Sequence, residues 1–400
     1  MTPSSASPAR DARRTAALVA AACVLQVAES LIPHPVPGVR LGLANIVTLV
    51  TLAELGLGAA LEVALLRTVV ASLVLGSFLS PGFLLSFFSA AASTLVMWGF
   101  WRLSARFPSW GFSIVGVGVA GAVAHNASQL YLAYLLLVRH EGIFYFAPWL
   151  AVSGVVTGWL TALVAAEVLR RPGGAFSSSV PAPAAAVPAL PAFPGLAPEW
   201  KIAGACALLL LAVFAREARA FALLALGLLV LMAATRLPGT AYAGIFKRLR
   251  GLSWLALTAF AFPLLFTPGD PLFSAGPIAI ARDGLAGGLV LASRVLLMGW
   301  IGFLLNVYAS PSDIAAGLAR LGRPLGRLGF PAERTGAVIA LAWGELPAFS
   351  ARARAAVAAA VAAGGWRRGP LRWSVGLAAG VIAGMCVLGE SAADAEAAAA

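Results

Sequence analysis

From residue 15 onward the chain is a succession of apolar runs of bilayer-crossing length, and that pattern decides the fold class before any motif is considered. A segment inside a bilayer has no water to satisfy its backbone amides, so it must be a helix or part of a closed barrel. Unbroken apolar runs, as opposed to alternating ones, select helices. Runs fall at 15–31, 41–55, 58–75, 83–103, 112–138 and 143–169, then at 201–215, 218–234, 252–266, 285–308 and 371–388. Only 11% of the residues are charged and 60% are hydrophobic, against roughly 25% charged residues in a soluble domain. The chain therefore reads as an all-α polytopic membrane protein. The second run is short for a crossing and is expected to be tilted or shielded by protein.

The net charge of +12 does not call for a nucleic-acid partner. Its arginines cluster between the runs, as at Arg13 with Arg14, Arg102 with Arg106, and Arg170 with Arg171. That is the distribution that orients helices with basic loops in the cytoplasm. It predicts a multi-pass protein of the cell inner membrane with a cytoplasmic N-terminus and residues 1–14 as a cytoplasmic tail. Cys23, Cys206 and Cys386 sit inside apolar runs without metal or disulfide spacing. Between the sixth and seventh runs the chain becomes "PGGAFSSSVPAPAAAVPALPAFPGLAP", where repeated prolines remove amide donors and fix φ. The organisation expected is a six-helix domain over 15–171, a Pro/Ala-rich linker over 172–199, a second helical membrane domain over 200–389 and an acidic, Ala-rich tail over 390–400. Within the second domain, about 311–365 carries too much charge to cross a bilayer and reads as amphipathic cytoplasmic helices. Ser312 with Asp313 is placed as an N-cap there, and Ile314, Leu318 and Leu321 share a face opposite Arg320. The run at 371–388 is expected to cross once more.

Ionisable residues at membrane depth are costly unless they face a partner or a cavity. Arg67 lies near the middle of the third run, and Glu62 is five residues away on the same helix, about 140° around it, so the two do not pair well. The partner of Arg67 is expected on another helix, with Glu29 as a candidate. Arg67 either holds an anionic substrate group or fixes packing through an interhelical salt bridge. Arg40 and Asn45 flank the Pro/Gly-broken start of the second run, "PGVRLGLAN", where they line a cavity or, for Arg40, anchor at headgroups. In the fifth run His125, Asn126 and Gln129 follow a small-residue face at Gly116, Ala120 and Ala124; they meet a ligand or hydrogen-bond between helices. Arg294 is a second deep arginine, expected to pack against an acidic group.

Several chemistries are missing. The sequence holds no GxxxxGK[ST] phosphate loop, no His/Cys/carboxylate cluster with metal spacing and no DDxxD-like diphosphate motif. No cofactor is expected, and the chain does not read as an enzyme.

The stretches "VAESLIPHPVPGVRLGLANIVTLVTL", "LLRTVVASLVLGSFLSPGFLLSFFSAAASTLVM" and "GVAGAVAHNASQL" resemble the Gx transporter family, also labelled heptaprenyl diphosphate synthase component I. That family is grouped with the substrate-binding S components of energy-coupling-factor (ECF) transporters. From about residue 200 to 361, "TRLPGTAYAGIFKRLRGLSWLALTAFAFPLLFTPGDPLF", "GPIAIARDGLAGGLVLASRVLLMGWIGFLLNVYASPSDIAAGLARLGRPLGRLGFP" and "SARARAAVAA" resemble the CbiQ-like T component of the same transporters. The resemblance implies a fusion of S and T functions for a vitamin-type, flavin, isoprenoid or related small molecule, with ABC-type ATPase subunits as separate partners that hydrolyse ATP. It also implies that Arg352 and Arg354 match the Ala-Arg motif that docks on the ATPases, whereas Trp343-Gly344-Glu345 stands where an Arg-Phe pair is usual. Arg40, Asn45, Arg67, His125, Asn126 and Gln129 are the candidate substrate contacts. The alternative is a membrane accessory subunit of polyprenyl diphosphate or quinone biosynthesis.

Overall fold

The computed structural model describes residues 8–31, 41–107, 111–171, 196–237, 239–275, 278–328, 331–362 and 370–387. The first part of the chain forms α1 (Pro8–Leu31), α2 (Leu43–Leu55), α3 (Leu57–Leu75), α4 (Pro81–Arg106), α5 (Ile114–Ala133) and α6 (Ala147–Arg170), with a π turn over Tyr134–Val138 and a 3-10 segment over Glu141–Phe146 between the last two. The second part forms α7 (Pro198–Phe214), α8 (Ala218–Ala234), α9 (Gly239–Gly251), α10 (Ser253–Phe266), α11 (Arg282–Tyr308), α12 (Pro311–Gly322), α13 (Ala332–Ala362) and α14 (Pro370–Val387). Four helical segments, Leu57–Leu75, Pro81–Arg106, Glu141–Arg170 and Arg282–Tyr308, are long and apolar enough to cross a bilayer, and α9 with α10 makes a fifth if that pair, bent by 45°, is one span. The chain is a helical multi-pass membrane protein. Short α2 solves its length problem by burial: residues 44 and 46–52 are covered, chiefly by α1, α3 and α6.

Side-chain caps set three of the helix starts, those of α4, α5 and α12. Ser80 and Ser113 accept from the amides of Phe83 and Gly116 and so cap α4 and α5. At α12 the expected cap moves: Ser310, not Ser312, is the N-cap, with Pro311 in the first turn and Asp313 closing a capping box back onto Ser310. Proline at the first helical position costs no hydrogen bond, which favours this frame. Ile314 is buried and Leu318 half-buried, but Leu321 is exposed. After α12 comes a 3-10 segment, Arg323–Leu328, and then one long helix. α13 runs unbroken for 31 residues through Gly344 and Pro347, because its buried side (Val338, Ile339, Ala342, Glu345, Phe349) packs along α1.

Two features depart from the expected pattern. An antiparallel hairpin, β1 (Pro271–Ala275) with β2 (Ile278–Ala281), joins α10 to α11. The glycines of α5 that let helices close up are Gly118 and Gly121, whereas a Cβ on Gly116 would meet only Phe112, at 3.7 Å. A Cβ on Gly118 would lie 2.7 Å from Ala162 Cβ, one on Gly121 would overlap Met97, and across the contact one on Gly158 would lie 2.7 Å from the Val119 Cα. Packing at that distance replaces the hydrophobic drive that a bilayer does not supply.

The two parts pack extensively. α1 lies along α13, and α14 lies against α6 and α13. The turn between α3 and α4 seats on the C-terminal half of α11: Asn306 Nδ2 donates to the Phe78 carbonyl at 3.0 Å, and Gly302 meets the backbone of Leu79 and Ser80, where a Cβ would have no room. The π turn after α5 instead meets α11 near Arg294 and α7 near Val213. Both connections fall on the same side of an up-and-down bundle, yet their levels on α11 differ by 12 residues, about 18 Å of helix. The six-helix bundle is therefore inclined to α11.

Candidate functional site

Five of the six candidate contacts come together. Asn45, Arg67, His125, Asn126 and Gln129 line one hollow inside the first bundle, joined by Gln26 and Glu29 of α1 and by Thr157 and Thr161 of α6. Arg40 lies outside the described residues. Arg67 is 5% exposed. Its Nη1 donates to Gln26 Oε1 at 2.9 Å and its Nη2 to Asn45 Oδ1, so α1, α2 and α3 are pinned together at the wall of the hollow. Glu29, the candidate partner of Arg67, is engaged elsewhere. Its carboxylate accepts from the amides of Gly42 and Leu43 at 2.8 and 3.0 Å. Gly42 turns into α2 with a φ of 75°, leaving the first amides of that helix to be met by a side chain, and a carboxylate also complements the positive helix end.

Asn126 realises the interhelical reading, donating to the Leu150 carbonyl at 2.8 Å and to Ser153 Oγ at 3.3 Å on α6. His125 and Gln129, one turn apart, face the hollow with Arg67. The hollow measures about 50 Å³. A water needs roughly 10–15 Å³ by this measure and drug-sized ligands occupy pockets of about 300–1,000 Å³, so this conformation holds a few waters and a larger guest requires the walls to part. A second, apolar cleft of about 850 Å³, half open to the outside, lies between α3–α4 and α12–α13, with Glu62 and Arg334 on its wall.

Glu62 has its partner in the other half of the chain. Arg334 of α13 donates to both carboxylate oxygens of Glu62, Nε at 3.1 Å and Nη2 at 3.0 Å, and Nη2 also reaches Thr15 Oγ1 of α1 at 3.2 Å. Three turns further along α13, Glu345 is buried, and its Oε2 has no hydrogen-bond partner among the described residues. Burial pushes this carboxyl above the usual carboxylate range, against the pull of Arg352 and of Arg13 on α1. Arg352 is half-buried with its guanidinium 5.3 Å from the Phe349 ring centroid, whereas Arg354 is exposed. The second deep arginine, Arg294, does not meet the acidic group expected for it: it donates to the Ala215 carbonyl at 2.7 Å and lies over Phe221.

Gln26, Thr157 and Thr161 join the site without a clear mark in the sequence. The threonines donate back to carbonyls of their own helix, which makes them look like ordinary helix-interior residues. Gln26 carries the better signal, as an amide one turn before Glu29 inside an apolar run.

Two families match the chain. Residues 18–168 match heptaprenyl diphosphate synthase component I, and residues 194–385 match the cobalt transport protein family CbiQ. Curated relatives named energy-coupling factor transporter transmembrane protein EcfT align with parts of it. The protein from Leuconostoc gelidum subsp. gasicomitatum is 32% identical over 100 residues, 25% of this chain and 37% of the relative. That from Heliobacterium modesticaldum is 30% identical over 132 residues, 32% and 47%. That from Bacillus subtilis is 25% identical over 134 residues, 33% and 49%. The chain thus spans less than half the length of each of these relatives.

Proposed function

Because the chain fuses a heptaprenyl diphosphate synthase component I-like domain to a CbiQ-like domain, we propose that it is the membrane component of an ECF-type, ATP-driven importer that carries substrate-binding and scaffold functions in one polypeptide. The boundary between the two functions falls in the Pro/Ala-rich residues 172–199. The substrate is a small molecule with a polar or anionic group, of vitamin, flavin or isoprenoid-precursor type. Arg67, Asn45, His125, Asn126, Gln129 and Arg40 meet it, and the N-terminus lies in the cytoplasm. ATP is hydrolysed by separate ABC-type subunits that engage Arg352 and Arg354 on α13.

The observation that carries this reading is the route from α13 to the hollow. The helix with Arg352 and Arg354 packs on α1 and grips α3 through Arg334 and Glu62, and α1 and α3 supply Gln26 and Arg67 to the hollow. A protein that only bound a ligand needs no such connection.

The test is purification from native membranes with mass spectrometry of the bound small molecule and of co-purifying chains. Arg354→Glu is expected to abolish ATPase association and leave ligand retention unchanged, because Arg354 is exposed and distant in sequence from the site. Arg67→Met is expected to lower ligand affinity by at least about tenfold, the value of one charge-assisted hydrogen bond of about 1.5–3 kcal/mol, with ATPase association intact. Loss of ligand in Arg354→Glu with ATPases still bound would overturn the assignment. Recovery of a soluble prenyl synthase in place of ATPases would establish the accessory-subunit alternative.

A further inference from the structure

At the C-terminal end of α7 two guanidinium groups meet without an acid. Arg294 enters from the interior of α11. It is 2% exposed and donates Nη2 to the carbonyl of Ala215, while its Nε and Nη1 are buried and have no hydrogen-bond partner among the described residues. Arg139 comes from the other domain, at the end of the π turn after α5. A left-handed backbone, φ 46°, aims it across the domain junction, where Nη2 donates to the Val213 carbonyl at 3.0 Å. The two side chains repel each other, and neither has a carboxylate within ion-pair distance among the described residues.

The charge does not balance. The carbonyl end of a helix carries about half a negative charge, against two full positive charges, one of them desolvated. A buried cation with open donors is retained only where something else completes its shell. The depth indicates what that is. α7 ends at Phe214 and is followed by the turn Ala215-Arg216-Glu217, whose two charged residues are exposed, and on the neighbouring 3-10 segment and α6 the aromatic Tyr145 and Trp149 are exposed. Exposed aromatics beside exposed charges mark the membrane–water interface, so the mouth of the site, at Arg139 and this turn, faces it, with the deeper Arg294 behind.

We propose that Arg294 and Arg139 form a phosphate-binding site at the junction of the two domains, occupied by the phosphate of an anionic phospholipid or by free inorganic phosphate. Arg294 supplies the buried donors and Arg139, exposed on the outside of the junction, closes over the anion. One phosphate then serves both domains, and its binding strengthens their contact. The site is separate from the Arg67 hollow and stands or falls independently of the transport reading.

The experiment uses the full-length chain in detergent, stripped of lipid, with two probes: inorganic phosphate, and phosphatidylglycerol offered against phosphatidylcholine. The readouts are the thermal midpoint and the phospholipid retained in native mass spectrometry. Wild type is expected to gain several degrees with at least one probe and, for the lipid arm, to retain one phosphatidylglycerol per chain. Response to phosphate alone assigns free anion; response to phosphatidylglycerol alone assigns the headgroup. Arg294→Gln is expected to abolish the response and, with no anion present, to unfold no earlier than wild type, since it removes an uncompensated charge. Arg139→Gln, an exposed change that leaves the buried residues in place, is expected to weaken binding at least about tenfold, and it carries the test if Arg294→Gln fails to fold. Equal responses in wild type and Arg139→Gln to both probes, or no response in wild type, would overturn the proposal.

Discussion

Breaking the contact between Glu62 and Arg334 separates two things that the fold joins, the bundle with the hollow and the helix with Arg352 and Arg354. The pair is bidentate, with oxygens at 3.1 and 3.0 Å from Nε and Nη2, and its side chains are 37% (Arg334) and 18% (Glu62) exposed. At an effective dielectric near 20 the gross attraction is about 4 kcal/mol. Desolvation and side-chain ordering return most of that. Exposed pairs net about 0.2–1 kcal/mol, and breaking fully buried ones costs about 3–5 kcal/mol. A half-covered bidentate pair falls between, at a coupling energy of about 1–2 kcal/mol, or a factor of roughly 5–30. The measurement is a double-mutant cycle of Glu62→Gln, Arg334→Gln and both together. Hydrogen exchange of the amides of α1 and α13 reports how often the seam opens. Each single change should speed exchange along both helices by about that factor, and the double change should add little to either. If the two singles prove additive within about 0.3 kcal/mol, or if exchange changes only next to the substituted residue, the pair does not hold the domains together.

Close helix packing and burial give two further expectations. Gly158→Val places a side chain against the Val119 Cα, where even a Cβ has only 2.7 Å, and should cost about 2 kcal/mol or more by forcing α5 from α6; Gly99→Ala, with nothing within 4 Å of its Cβ, should gain about 0.5–1 kcal/mol. Both are read from thermal midpoints in one detergent, and equal effects would refute the packing account. Glu345 holds its proton more tightly folded than unfolded. Between the usual carboxylate range and its raised value the native state binds more protons, so stability falls as pH rises through that window. Glu345→Gln should flatten this part of the stability profile and gain on wild type towards neutral pH; a parallel offset at every pH would contradict it.

How far the site can be read from sequence depends on whether the cause is local. Arg67, Asn45, His125 and Gln129 are legible because a polar group in an apolar run has few places to go, and the interior of the bundle is the cheapest. Glu29 is not, because spacing shows that a carboxylate needs donors without showing which ones. The frayed amides at Gly42 and Leu43 become the donors only once the chain turns at Gly42. The same limit applies to Arg294: its depth is visible, while its partner, the end of α7, is a backbone feature that no side-chain pattern announces. The tightest glycine contacts of α5 fall at Gly118 and Gly121, not at Gly116, because several glycines and alanines qualify by spacing, and only the position of α6 and Met97 chooses among them. Pairs that cross between domains, Glu62 with Arg334 above all, are 272 residues apart in sequence and have no local signature.

The placement of Glu62 and Arg67 on one helix has a mechanical consequence. They are five residues apart, about 7.5 Å of rise, one facing α13 and the other the hollow. A helix of 19 residues moves over such a distance as a rigid rod. Any shift of α13 that keeps Arg334 on Glu62 is therefore passed along α3 to Arg67 and bears on its hydrogen bond to Asn45 of α2. α1 repeats the arrangement, with Thr15 held by Arg334 and Gln26 held by Arg67. Two of the helices that wall the hollow are thus the two that α13 grips, and α3 also borders the apolar cleft of about 850 Å³ beside that grip. On the transport reading proposed above, a hollow now large enough only for a few waters would open and close as α13 moves.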